Sequence, residues 1–141
     1  MMKILFVCVH NSGRSQLAEE LTRLHGDGKV QAESAGLEPG KLNPFVVQVL
    51  SERGVDIAGK KTRGIMDLYN EGRTYDYVIT VCSREVEEKC PIFPGNANRV
   101  LWAFEDPAAF TGTEDEIREK VRSLAARIEV KVKAFLEALV F

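Results

Sequence analysis

Residues 3–26 read KILFVCVHNSGRSQLAEELTRLHG. Lys3 to Val9 is short, apolar and rich in β-branched and aromatic side chains, the pattern of a buried strand. A polar break, His10 to Gly13, follows it. Leu17, Ala18, Leu21 and Leu24 then recur at helical spacing until Gly26 closes the run. A buried strand feeding a helix through a tight polar loop is the opening unit of an α/β sheet. The rest of the chain repeats the alternation.

Val30 to Glu33 predicts a second strand, leading into Ser34-Ala35-Gly36. Asn43-Pro44 starts a helix, with Asn as cap and Pro at the first helical position. Phe45, Val46, Val49 and Leu50 give that helix an apolar face, and Gly54 ends it. A weaker helix is expected within Thr62 to Asn70, a third strand at Tyr77 to Val81 and a fourth at Arg99 to Phe104. Cys82 to Asn98 reads as the longest irregular stretch, and long loops in compact domains are often functional. Thr113-Glu114-Asp115-Glu116 is a capping box with acidic residues where the helix dipole favours them. Ile117, Val121, Leu124, Ile128, Val132, Phe135 and Leu136 then form one core-facing stripe. Strands alternating with helices predict an α/β fold, a parallel sheet with helices on both faces, and right-handed crossovers leave few topologies.

The chain has 141 residues, 45% hydrophobic and 28% charged, with a formal net charge of −2. Its length suits one domain, residues 1–141. The charge balance gives no support to a nucleic-acid partner. The apolar run Ile4 to Val9 is far shorter than the ~20 residues a membrane helix needs, and it lacks a signal peptide's pattern. The expectation is a cytoplasmic monomer without membrane association. Three cysteines in a reducing compartment argue against a static disulfide framework. They are either small buried hydrophobes or groups with thiol or metal chemistry, and position decides between these.

Cys8-Val9-His10-Asn11-Ser12-Gly13-Arg14-Ser15 occupies the strand-to-helix loop, where open α/β sheets bind ligands. Amides of the loop and first helical turn can point at an anion, and Asn11, Ser12 and Gly13 let the chain curl into a nest. Arg14 presents a planar fork to a tetrahedral oxyanion. Cys8 lies beneath the central atom, where the same positive field favours a thiolate, and Ser15 is placed to donate to the sulfur. Val9, His10, Asn11, Ser12, Gly13 and Arg14 are therefore the candidate oxyanion-binding residues. His10 is not needed as a base, and His25 reads as an ordinary surface or capping residue. Glu105-Asp106-Pro107 follows the fourth strand. Asp106 is the candidate proton donor for a departing oxygen, although Asp-Pro by itself commonly starts a turn.

These segments resemble the low-molecular-weight tyrosine phosphatase fold family, and within it the thioredoxin-coupled arsenate reductases. The resemblance runs through CVHNSGRSQLAEEL, ESAGLEPGKLNP, VITVCSREVEEKCPIFPG and LWAFEDPA, nearly the whole chain. It implies a three-layer fold with a four-stranded parallel sheet flanked by helices. It also implies that Cys8 attacks arsenate held by Arg14, with Asp106 assisting. Cys82 then attacks Cys8, Cys90 attacks Cys82, and external thioredoxin reduces the Cys82–Cys90 disulfide, with no bound cofactor. The seven residues Ser83 to Lys89 between the last two cysteines are one more than is usual in the family. Some relatives bind a monovalent cation at positions matching Asn11, Glu19 and Ser34. The acidic ligand expected after Thr62 is Arg63-Gly64 here, and no metal is expected. Three other readings stay open. A tyrosine or small-molecule phosphatase needs only Cys8, Arg14 and Asp106, but Ala108-Ala109 stands where such enzymes carry a wall of aromatic character. A non-enzymatic oxyanion or redox sensor needs less still. A zinc site is the weakest, because Cys82 and Cys90 lack the close pairing of structural zinc ligands.

Overall fold

A computed structural model describes residues 1–139; residues 140 and 141, part of the expected domain, lie outside that description. Four parallel strands form one sheet in the order β2-β1-β3-β4: β1 Met2–Cys8, β2 Val30–Gly36, β3 Tyr77–Thr80 and β4 Asn98–Leu101. The helices are α1 Arg14–His25, α2 Pro44–Glu52, α3 Ile65–Asn70, α4 Arg84–Lys89 and α5 Glu114–Ala138, with a short 3₁₀ turn at Pro107–Ala109. The expected α/β class and four-stranded parallel sheet are present. The chain moves from β1 outward to β2, then back across β1 to β3 and β4. Right-handed crossovers oblige such a reversal to change faces, yet α2, at the start of the β2–β3 connection, still packs beside α5 and α1.

The central strand reads as a continuous apolar run because both of its faces are covered: Ile4, Leu5, Phe6 and Val7 are all fully buried. Leu17, Ala18 and Leu21 of α1 meet the α5 stripe Val121, Leu124, Ile128 and Val132 in the same core. The caps follow the sequence. Asn43 accepts from the amides of Phe45 and Val46, and Thr113 with Glu116 forms the capping box that starts α5.

Five expectations need correction. Leu24 is 49% exposed; it marks the edge of the α1 stripe, while Gln16, Glu19 and Glu20 are buried in its place. The second strand continues to Gly36. The fourth strand ends at Leu101, not Phe104, because its neighbour β3 stops at Thr80, whose carbonyl takes the Trp102 amide as a last bond at 2.8 Å. The stretch from Cys82 to Asn98 is not wholly irregular: it contains α4, capped by the Ser83 hydroxyl accepting from Val86 N–H. His25 is also more than a surface residue, since its Nε2 lies 2.7 Å from Glu129 Oε2 and ties α1 to α5.

A candidate active site at the switch point

The strand order reverses between β1 and β3, and crevices at such points, beyond the carboxyl ends of the strands, are where open α/β sheets take ligands. Cys8 is the last residue of β1. Cys82 follows β3 by two residues, after the Val81 amide bonds the Val7 carbonyl at 2.9 Å. Both thiols are buried at this crevice, and Cys82 Sγ lies 3.9 Å from Val7 O.

The loop after Cys8 folds around its sulfur. The Asn11 amide donates to Cys8 Sγ at 3.2 Å, and Ser15 Oγ lies 2.8 Å from the same sulfur. Asn11 adopts φ 57°, a left-handed conformation that Asn tolerates better than most residues. Its amide orientation is fixed by chemistry: the Arg63 backbone N–H can only donate, and it reaches Asn11 Oδ1 at 2.9 Å. Nδ2 therefore donates to Ser15 Oγ at 2.9 Å and to Ser34 Oγ at 2.8 Å. With one acceptor position of Ser15 so filled, its hydroxyl hydrogen is available to the sulfur. The first internal bond of α1 runs from Leu17 N–H to Gly13 O, so the amides before it are not consumed by the helix. Close approach explains two glycines. A Cβ on Gly36 would lie 2.7 Å from Asn11 N and Val9 O, and one on Gly13 would lie 2.8 Å from Pro107 Cγ.

Arg14 joins this loop to the segment after β4. Its guanidinium donates to Phe104 O at 3.0 Å and lies 3.8 Å from Asp106 Oδ2. The other oxygen, Asp106 Oδ1, accepts from Ala108 N–H at 2.9 Å and caps the 3₁₀ turn. The turn-starting role of Asp-Pro and a place in the site are therefore both realised by one carboxylate. A pocket of about 220 Å³ opens between Cys8, His10, Ser12, Arg14, Asp106 and Pro107. That is smaller than the ~300–1,000 Å³ of sites for drug-sized ligands and suits a small inorganic anion. A larger hollow of about 470 Å³ between His25, Lys29, Lys133 and Leu136 has no cysteine in its lining. Val9 contributes its backbone, with its carbonyl accepting from Glu38 N–H at 2.8 Å. His10 is exposed, its Nδ1 at 2.9 Å from Glu38 O.

Cys90 is separated from this cluster. It ends α4, buried, with its Sγ 3.5 Å from Pro91 O. Burial pushes its thiol up to about 11, against the nearby positive charge of Arg99. Burial also raises Cys82, while the Ser83 backbone and Arg14 work in the opposite direction.

Behind the loop lies a buried network, of which the family resemblance had named Asn11, Glu19 and Ser34 but not the basic residues that meet them. Ser34 Oγ donates to Glu19 Oε1 at 2.7 Å. Glu19 has a fully buried side chain, and its Oε2 pairs with Arg23 at 3.0 Å and with the Lys60 ammonium. Lys60 also donates to Glu20 Oε1 at 3.1 Å. Burial would raise the Glu20 carboxyl, but Lys60 and Arg23 outweigh it and hold it below the ordinary range. Asn11, Glu19 and Ser34 do come together, yet they do not fit a bound cation. Asn11 Oδ1 already accepts from Arg63 N–H and Gln16 Nε2, and Glu19 has two cationic side chains on it. The positive charge is supplied by the chain itself. Among the described residues no group of three His, Cys, Asp or Glu side chains is placed to hold a metal ion. None of their helices is long and apolar enough to cross a membrane.

This fold and loop define a class: the chain belongs to the low molecular weight phosphotyrosine protein phosphatase family, which it matches over residues 3–140. Within that class it is similar to arsenate reductases. One from Bacillus licheniformis is 37% identical over 137 residues, covering 95% of this chain and 94% of the relative. The crystal structure of arsenate reductase from Archaeoglobus fulgidus superposes with a TM-score of 0.74 at 32% identity, covering 95% of this chain and 98% of that one. A thioredoxin-dependent arsenate reductase of Corynebacterium glutamicum superposes with a TM-score of 0.65 at 30% identity, covering 96% of this chain and 63% of that one.

Proposed function

We propose that the chain reduces arsenate to arsenite through Cys8, Cys82 and Cys90, with thioredoxin as external reductant, acting as a cytoplasmic monomer. The observation that carries this reading is the meeting of two buried thiols at one switch point. Cys8 lies under the anion loop, with Cys82 beside it and close enough to Cys8, Arg14 and Asp106 to be influenced electrostatically by each. A hydrolytic phosphatase has no use for the second sulfur.

In the proposed sequence the Arg14 fork and the loop amides hold the oxyanion, and the Cys8 thiolate attacks arsenic. Ser15 and the Asn11 amide hold the sulfur in line. Asp106 gives a proton to the departing oxygen, which leaves as water. The Cys82 thiolate then attacks Cys8 sulfur. The new S–S bond displaces arsenite, so the two thiols supply the two electrons that arsenic gains. Cys90 attacks Cys82 and frees Cys8, and the dithiol of thioredoxin reduces the Cys82–Cys90 disulfide by further exchange.

The attack of Cys90 on Cys82 requires α4 to unwind. At 1.5 Å rise per residue, the six-residue helix (Arg84–Lys89) holds its flanking residues roughly 10 Å apart. A disulfide needs Cα atoms about 4.4–6.8 Å apart. A helix this short is marginal in isolation, so the unwinding is inexpensive. The test is coupled turnover with arsenate, thioredoxin, its reductase and NADPH. Cys8→Ser, Cys82→Ser and Cys90→Ser are each expected to abolish NADPH loss. Normal turnover in Cys90→Ser would remove Cys90 from the scheme. Cys8-dependent phosphatase activity without arsenate turnover would replace the reading with the phosphatase one.

A further inference from the structure

The redox segment is tied down at one end by a residue that touches neither the oxyanion pocket nor a reacting sulfur. Arg99 Nη2 donates to the Glu87 carbonyl at 2.6 Å and is 3.4 Å from the Cys90 carbonyl. These are the last carbonyls of α4, and the Glu87 oxygen also accepts from Cys90 N–H at 3.2 Å. Helix C-termini carry partial negative charge and unsatisfied carbonyls, and an arginine answers both. The backbone of this anchor is held in the sheet, because Arg99 is paired with Val78 in the β3–β4 ladder. At the other end of α4, Ser83 Oγ accepts from Val86 N–H at 3.4 Å and Ser83 O from Glu87 N–H at 3.1 Å, with no charged side chain in the cap.

We propose that Arg99 is the latch of this segment: from the edge strand β4 it holds the C-terminal carbonyls of α4, and so favours the dithiol form of Cys82 and Cys90 over their disulfide. The argument is one of mutual exclusion. A standing α4 holds its flanking residues too far apart for the disulfide, and its unwinding moves the two carbonyls away from the strand position that anchors Arg99. The bonds to Arg99 thus exist in the dithiol form alone, and their free energy weighs wholly on that side. The latch serves the cycle twice. It holds Cys90 away from Cys82 while α4 stands, and it draws the segment back into its helix once the disulfide has been reduced. Burial holds Cys90 as the neutral thiol near neutrality, so what Arg99 restrains there is a backbone segment and not a thiolate.

The inference rests on the reading of Cys82 and Cys90 as a redox pair, and its test needs no arsenate. The full chain and its Arg99→Met variant are equilibrated in dithiothreitol buffers of graded redox ratio and quenched by alkylation. The Cys82–Cys90 disulfide is then measured by peptide mass. The Arg99→Met equilibrium is expected to shift about tenfold toward the disulfide, a potential about 30 mV more negative for this two-electron couple. Arg99→Lys, which keeps the charge but not the fork, should fall between the two. In the reduced Arg99→Met protein, amide hydrogen exchange of residues 84–90 should accelerate by a similar factor, with β1 unchanged. Identical midpoints in the three proteins would overturn the latch, as would exchange that quickens equally in every strand. Should Arg99→Met fail to fold, Arg99→Lys against the unaltered chain decides by the same midpoint. If no Cys82–Cys90 disulfide forms in the unaltered chain at any ratio, it is the redox-pair reading that falls.

Discussion

At the scale of single residues, the sulfur of Cys8 is governed by its hydrogen-bond donors. Ser15→Ala removes the hydroxyl 2.8 Å from Sγ and leaves an Asn11 N–H without its acceptor. A hydrogen bond to a charged group contributes about 1.5–3 kcal/mol, so kcat for arsenite formation is expected to fall roughly 10- to 100-fold. KM should change little, because Ser15 faces the sulfur and not the oxyanion; a rise in KM with unchanged kcat would refute this role. Lys60→Met leaves buried Glu19 with Arg23 alone as its cationic partner. A loss on the order of 2–3 kcal/mol of stability is expected in urea unfolding. An unchanged midpoint would mean that Arg23 suffices. Cys8, Arg14 and Asp106 were legible in the sequence because a thiol, a fork and an acid at loop positions carry meaning by type and spacing. Glu19 and Ser34 entered only through the family resemblance, as positions of a cation site, and Lys60 not at all, because only the tertiary fold buries Glu19 against a lysine 41 positions away.

At the scale of elements, α4 was the part the sequence concealed. Its six residues, REVEEK, contain one apolar side chain, Val86, so no helical period can emerge from them. What builds the helix is a Ser83 cap at one end and Arg99 at the other, and the second is a tertiary contact. By contrast α2 and α5 carry Asn-Pro and capping-box starts plus a full apolar stripe, and both were legible to within a residue or two. The short helix also sets a pH dependence. Burial raises the folded thiol of Cys90 to about 11, above the free value of about 8.5. The closed segment is therefore favoured below about 8.5 and loses that advantage as pH climbs through the folded value of about 11. Because α4 must open before Cys90 attacks, the attacking thiol is the solvated one. In rapid-quench single turnovers, the rate of Cys82–Cys90 formation should rise about tenfold per pH unit from neutrality and keep climbing beyond about 8.5, because ionisation of the solvated thiol draws the segment open until the closed form ceases to dominate. A rate that levels off at about 8.5 would mean that the open segment is already the ground state.

At the scale of the whole molecule, the two halves of the site come from opposite ends of the chain, and the core must hold them in register. Cys8 hangs from central strand β1, while Asp106 follows edge strand β4 on a segment with no partner strand beyond Leu101. What fixes that segment is α5. Trp102 is buried between Phe6 of β1 and Phe135 of α5, with centroid distances of 5.9 and 5.5 Å. Lys131 stands over its ring at 5.9 Å, and Arg127 pairs with Glu105. The C-terminal helix thereby positions the acid, although it contributes no residue to the pocket. Trp102→Ala should cost about 3–5 kcal/mol of stability, which a folding assay alone would record as a core defect. Trp102→Phe separates the two roles. It keeps an aromatic ring between Phe6 and Phe135, so most stability should remain. The smaller ring lets the 102–106 segment settle differently, and Asp106 moves relative to Arg14. The expected result is a midpoint within about 1.5 kcal/mol of the original and a several-fold fall in kcat at unchanged KM. A variant that loses stability but retains full kcat would show that the segment carrying Asp106 is held by Arg14 and Phe104 without help from α5.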